Sequence, residues 1–162
     1  MSKESLFNIL NNHFSFSQLK VLDLFAGTGN ISYEFASRGA EDITSVDEDF
    51  GCIKFIKQTA NEFDFEITAI KSNVFSFVEK SKATYDLIFA DPPYHMEQNK
   101  FEKLVTTVFE NKLLDADGMM VIEHSKYTKL DQMPHFSFQK NYGGSVFSFF
   151  EIESDEDSEN EE

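Results

Sequence analysis

The tetrapeptide DPPY directly follows an apolar run and combines an acid, two rigid residues and an aromatic ring, namely Asp91, Pro92, Pro93 and Tyr94. Proline fixes its own φ angle and restricts the residue before it, so Asp91 and Pro92 are both expected to be extended. Proline lacks an N–H group but keeps its carbonyl acceptor. The tetrapeptide therefore predicts a rigid pair of acceptors, the Asp91 carboxylate and a nearby main-chain carbonyl, beside the Tyr94 ring.

Such a pair of acceptors suits an exocyclic amine, because an –NH2 group presents two hydrogen-bond donors. The nitrogen lone pair of an aromatic amine is delocalised into its ring, and hydrogen bonds that draw both hydrogens out of plane would localise it toward an electrophilic methyl group. Asp91 would also stabilise the positive charge that develops on nitrogen. Tyr94 could stack on the base, a contact worth roughly 1–3 kcal/mol, and a base within a duplex would have to be flipped out. The alternative is a proline-rich turn that only ends a strand.

A second pattern lies upstream, in the glycine turn DLFAGTGN, which begins at Asp23. Gly27 and Gly29 allow this turn to tighten and a ligand to approach the backbone closely. Asp47 ends the next predicted strand, about 20 residues after Gly27, where an acid can accept both ribose hydroxyls of an adenosine. The turn and the acid together predict an adenosine-type site, whereas the turn alone could be a plain strand-to-helix connection.

The type of nucleoside follows from two positions in the turn. A dinucleotide fingerprint would need a third glycine, but Ser32 stands at that position. Asp23 would repel a pyrophosphate, yet it could bind a cationic group such as the amino group of a methionine moiety. A nucleoside with a positive charge and no phosphate fits better, so S-adenosylmethionine is expected in preference to NAD.

Alternating strands and helices must position these two turns. Apolar periodicity predicts strands at residues 19–26, 42–47, 65–70, 85–90 and 118–124. It predicts helices at residues 4–12, from the glycine turn to about 38, 50–63, 74–80 and 100–112. Residues 135–152 alternate about Gly143 and Gly144, which predicts an antiparallel hairpin.

This order of elements predicts a Rossmann-like α/β fold, with a central, mostly parallel sheet, a C-terminal antiparallel hairpin and helices on both faces. Ligands bind such sheets at the carboxyl ends of the strands, near the point where the strand order reverses. The fourth strand usually lies beside the first, so the DPPY turn is expected to face the glycine turn across one crevice.

Composition limits the class of protein. The 162 residues are expected to form one domain, residues 1–153, and Cys52 is the sole cysteine, so no intramolecular disulfide can form. No apolar run approaches the roughly 20 residues that span a bilayer, and no signal pattern is present, so a cytoplasmic protein is expected. The net charge is −15, and residues 154–162 are predicted to be a disordered acidic tail. This acidity argues against strong affinity for free nucleic acid.

Three segments, VLDLFAGTGNISYEFASRGA, SVDED and DLIFADPPY, together resemble class I S-adenosylmethionine-dependent methyltransferases that act on exocyclic amines. Two further segments, ESLFNIL and YGGSVFSFFEI, more narrowly resemble the RsmD-type 16S ribosomal RNA guanine-N2 methyltransferases. The resemblance implies that guanine is held by Asp91, Pro92, Pro93 and Tyr94. It implies that Asp47 binds the cofactor ribose, that Asn73 meets the adenine, and that the cofactor-binding set is Asp23, Phe25, Gly27, Gly29, Asn30, Asp47, Glu48, Asn73 and Asp91.

The resemblance also implies the biological setting. The expected partner is ribosomal RNA, within a small-subunit assembly particle, with no membrane or metal and with the protein as a monomer. Members of the family usually begin with a basic segment that helps to grip RNA, and this sequence is expected to lack it. The alternatives are a DNA or RNA adenine-N6 or cytosine-N4 methyltransferase and a non-catalytic binding protein that keeps the cofactor fold.

Some polar residues are expected to be structural. The histidines, His13, His95, His124 and His135, show no metal spacing and are interpreted as surface or packing residues. Glu123 and His124 end the fifth strand near the crevice. For both, structural placement is favoured over substrate contact.

Overall fold

Helices and strands alternate along the chain in the computed structural model, which describes residues 2–153. The helices are α1 (Ser2–Asn11), α2 (Asn30–Ser37), α3 (Phe50–Phe63), α4 (Val74–Lys80) and α5 (Gln98–Glu110). The strands are β1 (Lys20–Leu24), β2 (Asp42–Asp47), β3 (Ile67–Lys71), β4 (Tyr85–Ala90), β5 (Leu114–Ser125), β6 (Phe136–Tyr142) and β7 (Ser145–Glu151). The acidic tail predicted for residues 154–162 lies outside the described residues.

Most element bounds follow the sequence pattern. The bounds of β2, α3, α4 and β4 are those predicted, and α1, α2, β3 and α5 differ from prediction by one or two residues. The bounds of two strands, β1 and β5, differ from prediction for reasons found in the backbone. β1 ends at Leu24 because Phe25 has a φ of 58°, in the left-handed region that no regular strand contains. β5 begins before residue 118 because Leu114 already pairs with Tyr85 of β4.

The described strands form one seven-stranded sheet in the order β3-β2-β1-β4-β5-β7-β6. β1 pairs in parallel with both β2 and β4, and β4 pairs in parallel with β5. β7 is antiparallel to β5 and to β6, as the hairpin pattern predicts. The strand order reverses between β1 and β4, so the turns that follow these strands lie at the topological switch point, where α/β sheets bind ligands.

Alternation along β1 explains why helices cover both faces of the sheet. Leu22 and Leu24 belong to a core formed with α4 and α5, whereas Val21 belongs to a core formed with α1 and α2. In the second core, the rings of Phe7 and Phe35 pack edge to face, with centroids 4.7 Å apart. Asp23 shares the alternation of Val21, so its carboxyl group lies on the face covered by α2. No helix within residues 2–153 has the length and hydrophobicity needed to cross a membrane.

Gly29 is required at the start of α2 for two reasons. Its φ is 91°, and a Cβ atom there would lie 2.8 Å from both Cζ and Oη of Tyr33. We expect Gly29→Ala to lower the free energy of unfolding by roughly 1–3 kcal/mol through backbone strain and roughly 1–3 kcal/mol more through overpacking. Gly39→Ala is the matched control, because its φ is 104° but nothing lies within 4 Å. Urea unfolding of both variants tests this, and equal losses would contradict the steric contribution.

Candidate active site

Two adjoining cavities lie at the carboxyl edge of the sheet. The larger has a volume of about 510 Å³ and extends over the ends of β2 and β3, with Asp47 and Asn73 in its wall. The smaller has a volume of about 390 Å³ and extends over the end of β5. Three residues, Phe25, Asp91 and Pro93, line both cavities. A chemical group could therefore pass at this junction from a ligand in one cavity to a ligand in the other.

The structure separates the predicted cofactor residues into three groups. The larger cavity is lined by Phe25, Asp47, Glu48, Asn73 and Asp91. Gly27 lines the smaller cavity instead, together with the predicted catalytic residues Asp91, Pro92, Pro93 and Tyr94. Asp23, Gly29 and Asn30 are absent from the walls of both cavities. Their direct contact with a cofactor stays a prediction.

Phe25 forms part of the partition between the cavities. Its left-handed backbone, with a φ of 58°, turns the chain away from β1 immediately after Leu24. Its ring packs edge to face against Phe75, with centroids 6.4 Å apart. A non-glycine residue in this conformation costs of order 1–3 kcal/mol, and such residues are enriched at functional sites. The strain places an aromatic ring where the two cavities meet.

Asp47 holds the glycine turn against the end of β2. Its Oδ2 accepts the N–H of Gly27 at 2.9 Å, and its Oδ1 accepts the N–H of Asp49 at 2.9 Å. Each carboxylate oxygen has a second lone pair, so both can still accept a hydrogen bond from a ligand hydroxyl in the larger cavity. The exposed side chain of Glu48 adds a second carboxylate to the wall.

Asn73 has both a structural and a potential ligand-binding role. It is the N-cap of α4, and its Oδ1 accepts the N–H of Ser76 at 3.1 Å. Because this bond uses the carbonyl oxygen, the amide nitrogen is the part of the side chain that can donate to a ring nitrogen of a purine. The position of Asn73 in the larger cavity is thus compatible with the adenine contact that the family resemblance implies.

Asp23 lies beneath the glycine turn, with only 2% of its surface exposed. Ser32 Oγ donates to its Oδ2 at 2.7 Å, and Ser45 Oγ lies 2.6 Å from Ser32 Oγ. Burial raises the pKa of Asp23 from 3.8 to about 7, against the opposing effect of the Ser32 hydrogen bond. Ser32, at the position of the absent third glycine, therefore ties α2 to β1 through this carboxyl group.

Asp91 is held at the junction of the two cavities by main-chain pairing, and the pKa of its carboxyl group is raised. Its N–H donates to the carbonyl of Leu24 at 3.3 Å, which continues the pairing of β4 with β1 beyond Ala90. Burial, and then the negative charge of Glu123, raise its pKa from 3.8 to about 6. At neutral pH Asp91 is therefore mostly ionised but is a stronger base than an ordinary aspartate. Tyr94 follows at the smaller cavity with 78% of its surface exposed, so its ring is free to stack on a base.

The sequence predicts no ligand contact for two side chains that line the cavities. His95 lines the larger cavity, and Glu123 is half-buried in the wall of the smaller one. His124 is a packing residue, as expected, since its Nε2 lies 2.7 Å from Ser148 Oγ in a buried position. The sequence places Glu123 at the end of the fifth strand near the crevice but favours a structural role for it. Within residues 2–153, no three His, Cys, Asp or Glu side chains are grouped so as to hold a metal ion.

Comparison with known proteins identifies similar chains over most of this length. The family described as conserved hypothetical protein 95 matches residues 1–151. YlbH of Bacillus subtilis, provisionally named an rRNA methyltransferase, is 32% identical, over 80% of this chain and 71% of its own. Ribosomal RNA small subunit methyltransferase D of Haemophilus influenzae is 26% identical, over 91% of this chain and 77% of its own.

Comparison with solved structures agrees with the fold. The Escherichia coli protein yhhF, provisionally described as a methyltransferase, superposes with a TM-score of 0.82 at 22% identity. The superposition covers 93% of this chain and 86% of that one. The predicted Rossmann-like class I methyltransferase fold is thereby confirmed.

Proposed function

This chain belongs to the conserved hypothetical protein 95 family, and on that premise we propose that it is an S-adenosylmethionine-dependent methyltransferase whose target is the N2 amine of a guanine in 16S ribosomal RNA. The observation that carries the proposal is the junction of the two cavities at Phe25, Asp91 and Pro93. The names of the bacterial relatives support ribosomal RNA of the small subunit as the substrate. The resemblance to the RsmD-type family is confirmed by the family match and by relatives named ribosomal RNA small subunit methyltransferase D, whereas the choice of guanine N2 is part of the proposal.

The larger cavity suits the proposed cofactor. Asp47 supplies carboxylate acceptors for ribose hydroxyls, and Asn73 supplies an amide donor for the adenine ring. Asp47, Glu48 and Asp91 make this wall acidic, which favours a positively charged nucleoside over one that carries phosphates. When bound, S-adenosylmethionine supplies an electrophilic methyl group on a sulfonium centre.

The smaller cavity suits the target base. The Asp91 carboxylate and a main-chain carbonyl of the DPPY turn accept the two amine hydrogens, and Tyr94 stacks on the ring. With the cofactor bound, the amine lone pair would form the new N–C bond, and the electron pair of the broken S–C bond would stay on sulfur. The nitrogen becomes positively charged, and its surplus proton can pass to the Asp91 carboxylate, whose raised pKa favours that transfer.

The proposal is tested in two steps. Thermal shift with S-adenosylhomocysteine against NAD examines the cofactor, and stabilisation by NAD alone would contradict the methyltransferase assignment. Nucleoside analysis of RNA incubated with the protein and labelled cofactor then identifies the base. N2-methylguanosine is expected, whereas N6-methyladenosine or N4-methylcytidine would contradict the choice of guanine.

The acidity of the protein bears on which form of the RNA it methylates. A net charge of −15 opposes binding to free RNA, because affinity for RNA depends on neutralising its phosphates. We propose that a monomer, with a methyltransferase domain ending near residue 153, acts in the cytoplasm on a partly assembled small subunit whose proteins provide additional contacts. Immature particles should therefore be methylated faster than free 16S RNA or mature subunits, and a preference for free RNA would contradict this.

Asp47 gives a direct test of the cofactor assignment. Asp47→Asn leaves the shape of the side chain but removes its charge and one of its acceptors, so ribose and turn contacts both weaken. We expect the Kd for S-adenosylhomocysteine to rise about 10- to 100-fold, the loss typical of a hydrogen bond to a charged group. Isothermal titration measures this, with Asp42→Asn as the control because Asp42 is exposed at the opposite end of β2. An unchanged Kd would place the ribose elsewhere.

A further inference from the structure

Strand register places a second carboxylate beside Asp91. Ala90 of β4 pairs with Ile122 of β5 in a parallel ladder, so the next residues, Asp91 and Glu123, are neighbours at the carboxyl edge of the sheet. Residues in register on parallel strands point to the same face. In keeping with this proximity, the charge of Glu123 contributes, after burial, to the raised pKa of Asp91. Both line the smaller cavity.

Glu123 is held in place from the neighbouring antiparallel strand. Ser145 of β7 donates from its Oγ to Glu123 Oε2 at 3.3 Å. The side chain is half-buried, and burial raises its pKa. The hydrogen bond from Ser145 to one oxygen of Glu123 holds this carboxylate in the wall of the smaller cavity, which Asp91 and Tyr94 also line.

Two adjacent carboxylates require hydrogen-bond donors from whatever fills the space between them. The residues that line the smaller cavity include no lysine or arginine. His124, the basic residue in this wall, bonds through both ring nitrogens to Ser148 Oγ and the Ser125 carbonyl, and burial lowers its pKa. The charged side chains in this wall, Asp91 and Glu123, are thus acceptors only, which favours a base that presents an edge of N–H groups to them.

The nucleobases differ in whether the ring nitrogen beside the exocyclic amine donates or accepts a hydrogen bond. Guanine presents three adjacent donor hydrogens, two on the N2 amine and one on N1. Adenine carries a bare ring nitrogen, an acceptor, beside its N6 amine, and cytosine carries one beside its N4 amine. An acceptor placed against a carboxylate is repelled and leaves both groups unpaired, which a buried site penalises heavily.

We propose that Glu123 accepts the N1–H of the target guanine while Asp91 accepts its N2 amine, so that Glu123 selects guanine over adenine and cytosine. This inference rests on the proposed function and adds to it a residue outside the DPPY motif. In this arrangement Asp91 acts on the amine that is methylated, and Glu123 determines which base is accepted. The Ser145 hydroxyl positions Glu123 for that contact.

The test uses a base that keeps the target amine but inverts the N1 position. In 2,6-diaminopurine the 2-amine is retained, whereas N1 is an acceptor. 16S RNA that carries either guanosine or diaminopurine riboside at the methylated position alone, introduced by ligation of a synthetic segment, is supplied free and reconstituted into small-subunit particles. The wild-type protein should prefer guanine by about 100-fold or more in kcat/KM, as expected of a site built around a substrate N–H.

Glu123→Gln should collapse that preference, because a glutamine amide can accept from guanine N1–H or donate to the bare N1 of diaminopurine. We expect the ratio to fall to about 10-fold or less, with a gain on diaminopurine and a loss on guanine. Ser145→Ala should raise KM for guanine more than it lowers kcat. Glu110→Gln removes the same charge from an exposed site on α5 and should leave both rates unchanged.

The outcomes separate this inference from the proposed function. If the wild-type protein methylates the 2-amine and Glu123→Gln keeps the guanine preference, the role of Glu123 is wrong while the function stands. Equal losses on both bases would likewise overturn it, because they would indicate a structural role. If the wild-type protein methylates neither RNA and binds no S-adenosylhomocysteine, the proposed function fails and this inference fails with it. Calorimetry with S-adenosylhomocysteine should give the same Kd for Glu123→Gln and wild type, which confirms folding.

Discussion

Asp91→Asn is expected to lower kcat for RNA methylation by about 100- to 1,000-fold, the usual effect of removing one group that stabilises transition-state charge. The amide keeps the shape and one acceptor oxygen, so the amine can still be bound. It cannot stabilise the positive nitrogen as a carboxylate does, nor take its proton. Binding of S-adenosylhomocysteine should change much less than kcat. Single-turnover methylation with labelled cofactor, at saturating RNA, measures the chemical step.

The pH dependence of the same reaction provides a second readout. Asp91 has a pKa of about 6 and must be ionised to act, so the wild-type rate should rise with pH through that value and become level above it. Asp91→Asn should lose this rise. Asp117→Asn is the control, because Asp117 is exposed toward the other end of β5 and carries the same charge. A fully active Asp91→Asn protein, or one with the wild-type pH profile, would refute the catalytic assignment.

Asp23→Asn is expected to change how stability depends on pH. The folded pKa of Asp23, about 7, exceeds its ordinary value of 3.8, so the folded state holds the proton more tightly than the unfolded state. The stability that this group contributes is complete below 3.8 and is lost as pH rises through about 7. The difference between the two pKa values corresponds to about 4 kcal/mol.

An asparagine has no such titration, yet its amide oxygen can still accept the Ser32 hydroxyl. Between pH 4 and pH 8, the difference in unfolding free energy between variant and wild type should therefore move by about 4 kcal/mol in favour of the variant. Urea unfolding across this range measures the difference. Asp42→Asn, an exposed site on β2, should show no such movement. Parallel stability curves for Asp23→Asn and wild type would mean that Asp23 is ionised as readily in the folded protein as in the unfolded chain.

Much of the fold could be predicted from local patterns. Apolar runs and caps located β2, α3, α4 and β4 correctly, because these elements begin and end where short-range hydrogen bonds and hydrophobic periodicity change. The ends of β1 and β5 could not be predicted in this way. β1 ends at the strained backbone angle of Phe25, and β5 begins where Leu114 pairs with Tyr85. Neither boundary is indicated by the types of the residues around it.

Residue types and short-range spacing already define the chemistry available to this protein. The DPPY turn, the glycine turn and the acid that ends β2 are contiguous or regularly spaced motifs, so their residue types already indicate an amine, an adenosine and a methyl donor. Which of those residues come into contact depends on the fold. It buried Asp23 under Ser32, set Asp47 against the glycine turn, and brought Glu123 beside Asp91. Contacts of this kind depend on strand order and register across the sheet, which join residues far apart in sequence and which no single stretch of sequence encodes.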